Sequence, residues 1–147
     1  MQYHTKVILF RPVNPGQRWT FWDYCFGESN LFDDWYQNLS EEARDTFDGL
    51  LKNLSKTANH LDWGIKRFLE GKYKQQRIWE IGFIADGRQN RILGIFAGEK
   101  QVVLLMGCYH KQRVYTPHNA LDTAYDRAKT FQAGKATLYD RKIKTDL

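Results

Sequence analysis

Three short apolar runs joined by two glycine-containing connectors constrain this chain more than any other feature. Arg77 to Ala85, Arg91 to Ala97 and Gln101 to Tyr109 each read as a strand. Their connectors are Asp86-Gly87-Arg88-Gln89-Asn90 and Gly98-Glu99-Lys100. Short loops containing glycine favour antiparallel hairpins, so the sequence predicts a meander. Val102-Val103-Leu104-Leu105-Met106 is continuously apolar, as a central strand covered on both faces would be.

The rest of the chain supplies layers for that meander. Residues 3–10 read as a strand ended by Arg11-Pro12 and Asn14-Pro15-Gly16, and Arg18 to Tyr24 read as a second strand. Leu31, Phe32, Trp35, Tyr36 and Leu39 recur at helical spacing after a possible cap in Gly27-Glu28-Ser29-Asn30. Ser40 is a good N-cap, with Glu41 and Glu42 in the first turn. Ala43, Phe47, Leu50, Leu51 and Leu54 form the stripe of the second arm, so a helical hairpin is predicted over about residues 30–57. Residues 58–76 are less regular, with Trp63, Ile65, Phe68 and Leu69 expected to pack. Pro117 suits the first turn of a helix striped by Ala120, Leu121, Ala124, Tyr125, Ala128 and Phe131 and stopped by Gly134.

The predicted class is α+β: a small antiparallel sheet of 3–5 strands packed with an N-terminal helical hairpin and a C-terminal helix. A length of 147 residues fits one domain, 1–147. Residues 1–18 are expected as an N-terminal extension, and 135–147 as a basic C-terminal tail, mobile in part.

Charge speaks to partners. Residues 1–59 carry 6 basic and 8 acidic side chains, whereas 60–147 carry 16 and 9, so the formal +5 divides into −2 and +7. A basic second half suggests a polyanion, most commonly nucleic acid. No run approaches the roughly 18 apolar residues of a membrane span. Cys25 and Cys108 stand apart in no CxxC pair, so a cytoplasmic protein without a membrane partner is expected. There is no P-loop, GxGxxG, HExxH or paired CxxC, and His4, His60, His110 and His118 lack zinc-ligand spacing. These gaps count against metal hydrolases and nucleotide-dependent enzymes, and no metal or cofactor is expected.

What remains is a set of basic and phenolic side chains around the meander. Arg77 opens the first strand, Arg88 lies in the next loop, Arg91 opens the second strand, and His110, Lys111, Arg113 and Tyr115 follow the third. Antiparallel pairing allows Arg91 and the 110–115 segment to converge on one end of the sheet.

Ile78-Trp79-Glu80-Ile81, Arg91-Ile92-Leu93-Gly94-Ile95-Phe96, Val102 to Met106, and Lys111 followed by Thr116-Pro117 occur in that order after a helical hairpin. This ordered set resembles the RelE/HigB superfamily, above all its phage-derived HigB-like branch, over roughly residues 19–132. The resemblance implies a RelE-like fold and the toxin of a type II toxin–antitoxin module. It also implies a metal-independent, ribosome-dependent mRNA endonuclease whose partners are a helix-turn-helix antitoxin, the ribosome and mRNA. By position, Arg91 matches the family's Arg at the start of the second meander strand, and Lys111 the first of a common Lys pair. Gln112 stands where the second Lys often is, and Gly82 where many members have Arg. Two other readings stay open: a ParE-like gyrase-inhibiting toxin, and a catalytically decayed antitoxin-binding or phage protein.

RNA cleavage requires deprotonating the 2′-OH, aligning the phosphate, stabilising developing charge and protonating the 5′-oxygen. Arginine supports phosphate charge through paired hydrogen bonds and needs no metal. Arg91 and Arg113 are therefore assigned to phosphate stabilisation, and Lys111, Tyr115 and His110 to proton transfer. Of these three, only His titrates near neutrality unperturbed. Trp79 or Tyr109 is a candidate for base stacking, and Arg77 and Arg88 for RNA binding. Each has a plainer alternative. Arg91 can pair with Glu80 or Asp86, Lys111 and Arg113 can be a solvated strand end, Tyr115 can cover the core, His110 can be an ordinary surface histidine, and Trp79 can be core.

Overall fold

The central meander lies within a larger, mixed sheet of nine strands. The structure is a computed structural model that describes the backbone of residues 3–5 and all of residues 16–144. Its strands are β1 (Tyr3–Thr5), β2 (Thr20–Phe26), β3 (Ser29–Asn30), β4 (Arg67–Phe68), β5 (Trp79–Ala85), β6 (Arg88–Phe96), β7 (Gln101–Lys111), β8 (Val114–Thr116) and β9 (Thr137–Arg141). Its α-helices are α1 (Leu31–Gln37), α2 (Glu41–Ser55) and α3 (Ala120–Gln132), with short 3-10 turns at His60–Asp62 and Gly71–Gln76. The order across the sheet is β1-β9-β2-β7-β6-β5-β4, with β3 paired to β2 and β8 to β7.

The meander forms, but its first turn is only Asp86-Gly87: Arg88 opens β6, so it is not a loop residue and Arg91 stands inside the strand rather than at its start. β5 runs antiparallel to β6 and β6 to β7, in a register that aligns Gly82, Arg91 and Cys108 in one row. The remainder corrects the expectation of a small, wholly antiparallel sheet. β2 pairs with β7 in parallel, Thr20 opposite Gln101 through Asp23 opposite Leu104. A parallel neighbour needs a long crossover, and the chain between β2 and β7, with both arms of the helical hairpin, supplies it.

Residues 137–141 are also not a tail. They form β9 between β1 and β2. Leu138 is fully buried, and Arg141 reaches a fully buried carboxylate, Asp23, through Nε at 2.7 Å and Nη2 at 2.9 Å. Arg141 also bonds Asp33 on α1, so one guanidinium ties β9, β2 and the helical hairpin together. The basic character read as solvation is here a counter-charge. β1 extends the sheet beyond β9, whereas residues 6–15 of the expected first strand and turn lie outside the described residues.

Two apolar layers pack on the sheet. Asn30 caps α1 by accepting from the Asp33 N–H at 2.8 Å, and Ser40 caps α2 by accepting from the Ala43 N–H at 3.0 Å. Phe32, Tyr36, Phe47, Leu51 and Leu54 then pack against Phe21, Trp79, Ile81, Phe83 and Ile92 on one face. On the other face, the alanine stripe of α3 lets that helix lie close over Leu93, Val103 and Leu105. Pro117 does not open α3. The helix begins at Ala120, whose N–H reaches back to the Pro117 carbonyl at 3.0 Å.

Helix α1 sits on β7 because Gly107 has no side chain. A Cβ there would lie 2.0 Å from Trp35 Cδ2. Gly107→Ala should therefore cost about 1–3 kcal/mol through overpacking, read as a lower urea midpoint. Gly49 in α2 has open space where its Cβ would be. Gly49→Ala should raise stability by about 0.5–1 kcal/mol in the same assay.

Candidate functional site

Alternation along the strands places a polar cluster on the face that carries α3. Glu80 and Gly82 are two residues apart on β5. Arg67 on β4 is opposite Glu80, and Arg91 on β6 is opposite Gly82. Cys108 on β7 is opposite Arg91, His110 lies two residues further along, and Tyr115 on β8 is opposite His110. Five strands thus bring Arg67, Glu80, Arg91, His110 and Tyr115 to one place.

Glu80 is the hub, only 4% exposed. Its Oε1 accepts a short hydrogen bond from the Tyr115 hydroxyl. Its Oε2 lies 3.5 Å from Arg91 Nε and 3.8 Å from Arg67 Nε. Arg67 Nη2 donates to the Tyr115 hydroxyl oxygen at 3.0 Å. A buried carboxylate is tolerable only with such partners, and here two guanidiniums and a phenol provide them.

The two arginines differ in availability. Arg91 folds back over Gly82, where a Cβ would lie 2.4 Å from its Nη1, so the glycine makes room for the guanidinium. Nη1 donates to the Asn90 carbonyl at 3.0 Å and Nη2 to Gln89 Oε1 at 2.8 Å. The Arg91 side chain is 9% exposed and the Arg67 side chain 46%. Arg67 therefore presents cationic donors to solvent, while Arg91 braces the cluster from within. A side chain at position 82 would displace that brace.

The titrating groups are sorted by the same environment. Burial first, and then the positive charge of Arg91, hold the His110 imidazole below its usual pKa, with Glu80 opposing. A neutral imidazole at pH 7 can accept a proton. Its ring meets the Tyr115 ring edge-on at 5.4 Å. Burial, then donation to Glu80, pushes Tyr115 up to about 12, so it stays a proton donor. Burial pushes the Cys108 thiol up to about 12 as well, leaving it unreactive at neutral pH.

The other residues singled out in the sequence lie elsewhere. Alternation turns Lys111 to the opposite face of β7 from His110, at its exposed end. Arg113 stands with Gln112 at the tip of the β7–β8 turn, exposed, both residues left-handed at φ 69 and 51. Neither joins the cluster. Arg77 is left-handed at φ 53 after the second 3-10 turn and lies over Phe68 at 5.7 Å. Arg88 is exposed, 4.4 Å over the ring of half-buried Tyr109. Trp79 is 1% exposed and packs against Trp63 and Phe96, so its ring presents no face to a base.

Sequence reasoning missed Arg67. It sits in an irregular segment, and β4 has only two residues, too few to show a period. The hub left a signal that was legible: Glu80 is a lone charge inside an otherwise apolar run. Among the described residues, no group of three or more His, Cys, Asp or Glu is placed to hold a metal. No helix among them is long and apolar enough to cross a membrane.

Comparison with known proteins bears on the same region. A family model described as phage-derived protein Gp49-like (DUF891) matches residues 34–129, a span from α1 into α3 that contains the whole cluster. No curated protein and no solved structure matches the chain.

The electrostatics predict opposite responses from two variants. Arg91→Gln removes a positive charge near His110 and should raise its pKa, whereas Glu80→Gln removes a negative charge and should lower it. Side-chain NMR titration of His110 reads both shifts, and identical titration in the two variants would contradict the assigned geometry.

Proposed function

The chain belongs to the phage-derived Gp49-like family, a toxin-like group of RelE/HigB type from toxin–antitoxin systems, and on that premise we propose that it is a toxin that cleaves mRNA on the ribosome without a metal. The observation that carries this reading is a histidine ring set against a phenol that is bonded to an exposed guanidinium and to one buried carboxylate.

In the proposed reaction, His110 accepts the proton of the 2′-OH as the 2′-oxygen attacks phosphorus. The bond from phosphorus to the 5′-oxygen breaks, and Tyr115 turns its hydroxyl from Glu80 to give its proton to that leaving oxygen; the proton taken up by His110 then restores the phenol. The products are a 2′,3′-cyclic phosphate and a 5′-hydroxyl. Arg67 supplies charge-assisted donors to the phosphate and, bonded to the Tyr115 oxygen, steadies the transient phenolate. Arg91 is a positioning residue that holds Glu80 and depresses the His110 pKa. Lys111, Arg113, Arg77 and Arg88 are outer cations for neighbouring phosphates, so binding weakens as salt rises. The partners in this reading are a cognate helix-turn-helix antitoxin, the ribosome and mRNA, in the cytoplasm, with no cofactor.

One observation favours a second reading, a non-enzymatic antitoxin-binding protein: the contacts of Arg91 are internal and its side chain is almost closed to solvent. Induction of the chain alone separates the two, with 5′ ends of translated mRNA mapped by primer extension. The nuclease reading expects new ends inside coding regions. It expects His110→Ala to reduce cleavage by about 100-fold or more. Cleavage should also fall as pH drops through the His110 pKa, because the protonated imidazole no longer accepts the 2′-OH proton. Intact transcripts in a growth-arrested culture would contradict it.

A further inference from the structure

Two tight turns stand side by side at one end of the sheet because Gln89 on β6 pairs with His110 on β7. One is Asp86-Gly87, at φ 56 and 67, and the other is Gln112-Arg113, at φ 51 and 69. Both central residues of each turn are left-handed, the geometry that follows strand twist in two-residue hairpins. Between the turns lies a cleft of about 550 Å³ lined by Arg88, Gln89, Tyr109, His110, Lys111 and Gln112. That volume falls within the range of small-molecule sites.

The cleft sets two cations, Arg88 and Lys111, against one carboxylate, Asp86. The Arg88 guanidinium lies 4.4 Å over the Tyr109 ring, which braces it from one side. Arg88 is exposed and lines the cleft, so its other side is offered to a ligand. Bases stack on guanidinium planes as they do on aromatic rings. Lys111 adds a cation for a phosphate, and Gln112 adds an amide able to meet a base edge. The Asp86 carboxylate at the rim accepts from the Ser40 hydroxyl at 2.5 Å and so is engaged with α2.

His110 stands at the edge of the cleft, its side chain turned with that of Gln89 to the opposite face of the sheet from Arg88, Tyr109 and Lys111. It lines the cleft and stands in the Glu80 cluster beside Tyr115. Gln89 links them too, since its Oε1 accepts from Arg91. We propose that this cleft is a nucleotide subsite that seats one base of single-stranded RNA on the Arg88–Tyr109 stack, on the helical-hairpin face of the sheet, from which the strand passes round the end of the sheet to His110 on the other face, and so sets which sequences are cut. The placement of the cut bond rests on the nuclease reading above. The stacking site itself does not.

The test uses the full chain and trinucleotides of RNA with 2′-O-methyl riboses, which bind but cannot be cleaved, one for each base. Binding is followed by NMR at Tyr109 and His110. Arg88→Ser should weaken binding about tenfold or more. Arg88→Lys keeps the charge and loses the plane, so it should weaken binding nearly as much. In cells, both variants should redistribute cut positions. Wild-type affinity in Arg88→Lys would overturn the stacking site, as would trinucleotide binding that leaves Tyr109 and His110 unmoved. Cleft signals moved by an acidic peptide and by no trinucleotide would overturn it in favour of a protein partner. Trinucleotide binding at the cleft by a chain that cuts no RNA would uphold the subsite and reject the nuclease reading instead.

Discussion

A carboxylate taken out of water must bring its counter-charges with it, and Glu80 imposes that condition on half the sheet. Its partners come from three other strands: Arg67 from β4, Arg91 from β6 and Tyr115 from β8. Removing any one partner leaves charge or hydrogen-bonding capacity uncompensated in a site with little access to solvent. The same field divides the chemistry. It keeps Tyr115 protonated, while burial and the guanidiniums keep His110 neutral. A phenol and an imidazole thus stand ring to ring with their pKa values moved apart.

A second buried carboxylate repeats the arrangement at the other end of the sheet. Asp23 on β2 is fully buried and is held by Arg141 from β9 and Asn30. There the guanidinium is bonded on both sides, to Asp23 and to Asp33. The Glu80 cluster differs in carrying an exposed cation and a histidine whose ring has no hydrogen bond at Nδ1 among the described residues.

Much of this was readable from residues 77–109. Glycine-containing loops pointed to the meander and to Arg91 lying near the 110–115 segment, but not to its register: Asp86 to Asn90 read as one connector, whereas β6 already begins at Arg88 behind a two-residue turn. The helical hairpin was equally clear from its stripes and caps. The parallel pairing of β2 with β7 was not, because two strands separated by the hairpin carry no local record of being neighbours. β9 was hidden by its charge: Arg141 looks solvated in sequence and is an internal counter-ion in the fold. At the site, charge type was legible but side-chain direction was not. Lys111 and Arg113 have the chemistry for the cluster, yet alternation and a two-residue turn carry them away from it. Gly82 gained its meaning only once Arg91 was seen lying across it.

The most direct measurement of the central claim is the chemical nature of the ends left on cleaved mRNA. Attack by a 2′-oxygen assisted by His110, with Tyr115 protonating the leaving group, predicts upstream fragments ending in 2′,3′-cyclic phosphate and downstream fragments beginning with a 5′-hydroxyl. Fragments with a 3′-hydroxyl and a 5′-phosphate would require an activated water as nucleophile and would contradict the account.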